Sequence, residues 1–390
     1  MSLSLSRRTL LAAIALGAVA ARASEDGVGG GRIVFGQPVP LDGPASALGI
    51  GMRDGIAAAF AEVNATGGVK GLKLELLSRD DGYDPNKSID AAKKLLDEDK
   101  VFALIGSVGT PTAAAVQPIA AERGVPFIGS FTGAEFLRDP KNSNVINLRA
   151  SYFQETEELV ERLTKDLAIT KIGIFYQDDT YGRAGLAGVQ KALAKRSMAM
   201  AGEGTYERNT VAVKGGLVAI RKAAPEAVIM IGAYKPCAAF IQLAKSVKFA
   251  PIFLNVSFVG SQALANELGV SGAGTIVTQV VPLPTDTSIP VVARYQAALK
   301  LSAPDAVPGF VSMEGYLVGR LTIMALERLS GTPTRSGFLD LFHQPQTFDL
   351  GGVTLRYGPD RNFGSDTVFV TELDAEGRFR TLKMLVRTGS

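Results

Sequence analysis

The chain has 390 residues, with 41 Lys and Arg against 38 Asp and Glu, one cysteine and one histidine. A lone cysteine excludes an intrachain disulfide and a thiolate metal site. A lone histidine excludes multi-histidine metal centres and most Ser-His arrangements, while the length predicts two domains that need no covalent staples.

The first predicted element is a targeting segment. Arg7 and Arg8 precede an apolar run from Leu10 to Ala20, and Ala21-Arg22-Ala23 supplies small residues at a cleavage site. This pattern predicts a signal peptide over residues 1–23 and a periplasmic destination. The run is shorter than the roughly 20 apolar residues of a membrane-spanning helix. Ser6-Arg7-Arg8-Thr9-Leu10-Leu11 also fits a twin-arginine signal, although ordinary export signals share paired arginines. Loss of Arg7, Arg8 and Arg22 leaves equal numbers of the two charge signs. No basic excess then remains for phosphates, so no nucleic-acid partner is expected.

Residues 24–31 are polar and glycine-rich, a lead-in to the strand predicted at 32–40. Residues 50–63 repeat apolar positions at helical spacing, and 72–77 read as a strand. A helix over 84–96, the apolar strand 101–105, a helix over 110–122 and strands at 125–128 and 145–148 complete one unit. Buried parallel strands read as continuous apolar runs, as 101–105 does.

The alternation then restarts. Helices are predicted at 153–167, 186–194, 211–223 and 240–247, with strands at 171–176, 198–201, 227–231, 251–254 and 275–280. Helices follow at 291–299 and 311–329. The last 45 residues read as short strands and turns, clearest at 368–370. Two mostly parallel αβ units placed side by side form a cleft at their strand ends.

Three features place chemistry at such ends. In Ile105-Gly106-Ser107-Val108-Gly109-Thr110-Pro111-Thr112 a strand gives way to a helix. Thr110 either caps that helix or offers its hydroxyl to a ligand. The free first-turn amides favour an anion, commonly a carboxylate. A similar loop holds Ser130 and Thr132 on one side of an extended segment. Neither loop has the lysine of a P-loop or a full G-x-G-x-x-G. Tyr152, Tyr176, Tyr181 and Tyr234 stand near strand ends, where they could cover an apolar ligand face. Cys237 is expected as a packed small hydrophobe and His343 in a structural or solvent-facing role. Asp80-Asp81 and Asp178-Asp179 do not define a catalytic pair, and no Gly-x-Ser-x-Gly elbow occurs. A noncatalytic, cofactor-free binding protein therefore needs fewest assumptions.

The residues carry a family resemblance over nearly the whole mature chain. Its motifs are Ile33-Val34-Phe35-Gly36, Leu41-Asp42-Gly43-Pro44, the run Glu62-Val63-Asn64-Ala65-Thr66-Gly67-Gly68-Val69-Lys70-Gly71, LELLSRDDGYD over 74–84, Gly106 with its hydroxyl turn, and Tyr181-Gly182. The chain resembles the periplasmic solute-binding proteins of ABC importers, in particular the leucine/isoleucine/valine-binding group. That resemblance implies the type I periplasmic binding fold: two Rossmann-like αβ lobes around a central ligand cleft, with three hinge crossings. One lobe would hold 32–149 and 279–348, the other 150–278 and 349–390. It further implies a monomer that closes on a small solute and meets membrane permease subunits.

By the same resemblance, Thr110 helps hold a ligand carboxylate, with Ser130 and Thr132 in the second contact loop. Tyr181 and Tyr234 contribute from the opposite lobe, and Tyr152 stands near a position that can be acidic. Ser257 occupies the position where amino-acid binders place the Glu that pairs with ammonium. Glu314 offers a different cation contact or faces solvent. The first expectation is therefore a small carboxylate solute, aromatic or aliphatic, without an ammonium group. The alternatives are an amino acid or amide held through a rearranged second pole, a ligand-sensing module, or an enzyme acting on a small carboxylated metabolite.

Overall fold

The computed structural model describes residues 25–386, so the expected signal peptide lies outside the described residues. The first lobe opens with β1 (Val28–Gly29), β2 (Arg32–Val39), α1 (Ser46–Ala65), β3 (Lys73–Asp80) and α2 (Pro85–Asp97). It continues through β4 (Ala103–Ile105), α3 (Thr110–Glu122), β5 (Phe127–Ile128) and β6 (Val145–Ile146). The sheet runs β1-β2-β4-β5-β6, with β3 paired to β2 over its whole length. All of these pairings are parallel except β1 with β2. β4 is wholly buried, as a strand covered by helices on both faces must be.

The second lobe contains α4 (Tyr152–Leu167), β7 (Ile172–Gln177), α5 (Thr180–Ala194), β8 (Gly202–Tyr206), α6 (Lys214–Ala223) and β9 (Ala227–Ile231). After these come α7 (Tyr234–Ser246), β10 (Ile252–Asn255), α8 (Ser261–Leu268) and β11 (Ile276–Gln279). The chain then returns to the first lobe through α9 (Pro290–Ser302), α10 (Phe310–Arg328) and α11 (Arg335–Phe342). Helices α9 and α10 pack along α1. Arg335 of α11 donates to the carbonyls of Val101 and Phe102, fastening that helix beside β4.

The tail is divided rather than passing as one piece to the second lobe at 349. β12 (Gln346–Asp349) and β13 (Thr354–Tyr357) form an antiparallel hairpin. Its inward residues Phe348 and Tyr357 meet the ring of Phe342 at 5.5 and 4.9 Å. The Tyr357 hydroxyl donates to the Asn147 carbonyl, and Phe363 bridges Asn147 in parallel. This segment therefore stays with the first lobe. Only β14 (Phe369–Leu373) and β15 (Phe379–Leu382) join the second sheet, where β14 runs antiparallel to β11. The resulting order is β15-β14-β11-β10-β9-β7-β8.

β8 also departs from the expected strand at 198–201. The chain turns after α5, and it is Gly202–Tyr206 that pairs with β7. A Cβ on Gly204 would lie 2.3 Å from the Gly216 carbonyl oxygen, so close approach to α6 requires glycine there. That glycine lowers the strand signal at the place where the strand forms.

Three connections, at 147–151, 280–289 and 358–368, cross between the sheets. The lobes thus meet along a cleft edged by the carboxyl ends of β4, β5, β7 and β10. Among the described residues no helix is long and apolar enough to cross a membrane.

Candidate functional site

The loops after β4 and β5 are zipped together. Val108 bridges Phe131, and the Phe131 amide donates to the Ser107 carbonyl at 2.8 Å. Gly109, at φ 109°, is the cap of α3, and a Cβ there would lie 2.3 Å from Tyr83. Helix α3 therefore begins at Thr110 itself, and the Thr110 hydroxyl is not used in capping. It lies 2.7 Å from the Thr132 hydroxyl instead. Ser130 pairs in the same way with Ser107 at 2.8 Å. Four buried hydroxyls beside the first-turn amides of α3 make a surface suited to a carboxylate.

The second lobe presents rings. Tyr152 and Tyr181 lie 5.4 Å apart, and Tyr181 lies 4.4 Å from Phe258. Phe258 also meets Phe131 at 5.3 Å and Tyr83 at 6.1 Å, both from the first lobe. The Gln177 amide donates across the cleft to the Tyr83 hydroxyl at 3.2 Å. Tyr234 stands apart from this ring cluster. It begins α7 and places its hydroxyl 3.5 Å from the Ala47 amide at the start of α1. Tyr176 turns its hydroxyl toward Glu203.

Sequence reasoning named Ser257 and Glu314 but missed Arg149 and Glu155, the pair that joins them at the first crossing. Arg149 is buried, and its Nη2 donates to Glu155 at 2.9 Å and to the Ser257 hydroxyl. Its Nη1 faces Glu314 at 3.5 Å. Glu155 accepts also from the Ser257 amide at 2.8 Å, the Ser257 hydroxyl at 3.0 Å and the Thr278 hydroxyl at 2.6 Å. The guanidinium lies 5.0 Å from the centre of the Phe131 ring and 5.9 Å from that of Tyr152. Burial opposes the Arg149 charge, but Glu314 and Glu155 outweigh it and hold the guanidinium above its ordinary value.

Ser257 therefore does not leave its pole without an acid. Its amide and hydroxyl hold a carboxylate that arrives from α4. The local signal was an acid in the first turn, just past the Ser151–Gln154 capping box and six residues beyond Arg149. Its partners Ser257 and Thr278 are distant in sequence and left no local trace.

Glu314 has fewer partners. Burial, with help from Glu155, pushes its carboxyl up to about 7 against the attraction of Arg149 and Arg138. Between its ordinary 4.5 and about 7, the folded chain keeps a proton that the unfolded chain loses. Stability should therefore fall as pH rises through that window, by at most about 3 kcal/mol. Denaturant unfolding of Glu314→Gln between pH 5 and 7.5 should show a flatter profile than the parent. An unchanged slope would place the titration elsewhere.

Arg138 secures the same crossing, donating to the carbonyls of Ala134, Arg149 and Ala150. Burial lowers its guanidinium to about 10. Cys237 is buried in the second lobe, and His343 ends α11 with its ring 2.8 Å from the Ser143 carbonyl. Among the described residues no group of three or more His, Cys, Asp or Glu is gathered for a metal.

Residues 32–378 match the family model described as periplasmic binding protein. Leu/Ile/Val-binding protein homolog 7 of Brucella abortus (strain 2308) is 28% identical over 249 residues. That match spans 62% of this chain and 61% of the relative, so it covers less than two thirds of either. The crystal structure of a possible leucine/isoleucine/valine-binding protein from Rhodopirellula baltica SH 1 is 38% identical. It superposes with a TM-score of 0.86, covering 93% of this chain and 98% of that one. A substrate-binding periplasmic protein from Ralstonia solanacearum shares the fold at a TM-score of 0.85 and 24% identity, over 90% of this chain and all of that one. With two crossed αβ lobes, a cleft at their strand ends and these matches, the chain belongs to the periplasmic binding protein family, in its noncatalytic, type I, Leu/Ile/Val-binding-like branch.

Proposed function

We propose that this chain is the periplasmic solute-capturing component of an ABC importer, and that its solute is a small amino acid or a closely related amide. The observation that carries the amino-acid reading is the pair of buried carboxylates that share Arg149 at the first crossing, Glu314 with that one partner and Glu155 held at Ser257. An ammonium buried without a charged partner would be costly. The apparent lack of an acid at Ser257 was the main support for a carboxylate solute without an ammonium group. Glu155 removes that support. The relative from Rhodopirellula baltica is described as a possible leucine/isoleucine/valine-binding protein and the Brucella protein as a Leu/Ile/Val-binding protein homolog, which favours the same reading.

In this arrangement the solute carboxylate meets Thr110, Ser130, Thr132 and the first-turn amides of α3. Tyr152, Tyr181 and Phe258 cover the solute from the second lobe. Glu155 is already served by its four donors, so Glu314 is the carboxylate with capacity for the ammonium. Closure is favoured because only the closed form joins the two sets of contacts. The closed pair of lobes is then the surface offered to membrane permease subunits, whose ATPases supply the energy.

Native mass spectrometry of the exported protein, purified without added solute, tests the reading. A retained α-amino acid or amide, one per chain and chemically unchanged on release, is expected. A retained acid without an amino group, or multiple-cycle conversion of a bound candidate, would overturn it.

A further inference from the structure

Two segments grip each other where the lobes meet at the protein surface. On the first lobe it is the turn from Asp80 to Asp84, between β3 and α2. Gly82 and Tyr83 stand there at φ 55° and 57°, in the left-handed region that a bulky tyrosine rarely enters. Buried Asp81 fixes that conformation, accepting from the Tyr83 amide at 2.9 Å and the Ser88 hydroxyl at 2.8 Å. The turn thereby presents the Gly82 carbonyl and the Tyr83 hydroxyl to the second lobe.

The second lobe answers with Gln177 at the end of β7, Asp179 at the cap of α5, and Arg208 and Asn209 after β8. The Asn209 side-chain amide donates to the Gly82 carbonyl at 3.1 Å, and that of Gln177 to the Tyr83 hydroxyl at 3.2 Å. The Tyr206 hydroxyl donates to the Gln177 side-chain oxygen at 3.0 Å and accepts from the Ala233 amide at 3.1 Å. Gln177 is therefore oriented by its own lobe. Arg208 stands between two acids, 3.4 Å from Asp179 of its own lobe and 4.0 Å from Asp84 of the other. Asp84 and Asp179 each cap a helix, α2 and α5, which favours their charged form and holds them in place. Closure sets them on either side of Arg208. Without that guanidinium it would bring two like charges together.

We propose that the 80–84 turn and the Gln177–Arg208–Asn209 corner form a latch that supplies a fixed share of lobe closure, so that Arg208 and Asn209 set the affinity of every solute without touching any. Neither residue belongs to the hydroxyl cluster or to the Arg149 network. Their bonds run from lobe to lobe and are the same whatever the cleft holds, so each solute gains from them equally. The latch stays reversible, because one exposed hydrogen bond and one partly exposed ion pair each shift the equilibrium by only about two- to tenfold. The proposal does not depend on the amino-acid reading.

Two variants and their combination test it. Asn209→Gly removes the amide while keeping the backbone at φ 61° without strain, and Arg208→Ala removes the guanidinium. Spin labels at Lys93→Cys on α2 and Gln190→Cys on α5, exposed positions on opposite lobes, report closure in the solute-free chain. The native Cys237 is buried and stays unlabelled. The solute-free parent should show a minor closed population, which the double variant reduces by about tenfold. Calorimetry should show leucine and valine weakened by about that same tenfold, with their affinity ratio unchanged. A solute-free parent without a closed population, or a double variant that closes as the parent does, would overturn the latch. Unequal losses for the two solutes would overturn it too, by making these residues solute contacts. Binding of neither solute by the parent would count against the amino-acid reading alone, since the distance measurement decides the latch without them.

Discussion

Replacing Arg149 by alanine is expected to lower the stability of the folded chain by about 3–5 kcal/mol, the largest effect of any single substitution considered. The substitution strands Glu155 and Glu314 in a buried setting and removes the donor shared with Ser257. It also takes the guanidinium from the faces of Phe131 and Tyr152. Glu155 keeps the Ser257 and Thr278 donors, and Glu314 takes up a proton, which limits the loss. Deleting the exposed Arg32–Glu75 pair should cost at most about 1 kcal/mol by comparison. For a chain of this size, 3–5 kcal/mol corresponds to a drop of roughly 4–7 °C in melting temperature. Arg149→Lys should recover only part of it, because a single ammonium cannot serve both carboxylates as a guanidinium fork does. Denaturant unfolding of the three proteins checks the order. An Arg149→Ala loss under 1 kcal/mol would mean that the network is not what holds the crossing.

Thr110→Val is expected to weaken solute binding by roughly 10–150-fold, the loss of one hydrogen bond to a charged group. Valine keeps the shape and removes the hydroxyl, so the zipped loops at Val108–Phe131 should survive. Thr110→Ser should bind nearly as the parent does. Thr132→Val should also weaken binding. The double variant should lose less than the sum, because the two hydroxyls lie within 2.7 Å and act as a unit. Calorimetry on proteins whose unfolding profiles match the parent reads the effect. Unchanged affinity in Thr110→Val would remove that hydroxyl from the contact set.

The central strands of both sheets were legible because they are buried on both faces. β4 and β9 read as continuous apolar runs bounded by turn residues. β8 was displaced because its fit against α6 requires glycine where a β-branched residue would have signalled a strand. The tail hairpin alternates inward and outward side chains, as a strand pair should. Its lobe was not legible, because that depends on Tyr357 reaching Asn147 from far along the chain.

The site divides along the same line. Thr110, Ser130 and Thr132 announce themselves by standing just past buried strands, and the structure gathers them. Tyr152 and Tyr181 join the cleft's rings, whereas Tyr234 reaches the start of α1 apart from them. Ser257 was misread in its consequence because a side chain from α4 fills the chemistry that its own residue type lacks. Phe258 follows a strand in an unremarkable turn, and only its packing shows that it touches both lobes. Local periodicity fixes elements and their ends, but a buried ion network is a property of elements brought together.

The central claim is that both charged ends of an amino acid are recognised in this cleft. Calorimetric titration of the solute-free protein with leucine and with 4-methylpentanoate, its deaminated counterpart, tests that claim directly. Leucine should bind at one site per chain, and loss of its ammonium should cost at least about tenfold in affinity. Equal or tighter binding of the deaminated acid would contradict an ammonium pole at Glu314 and return the solute to the simple carboxylates.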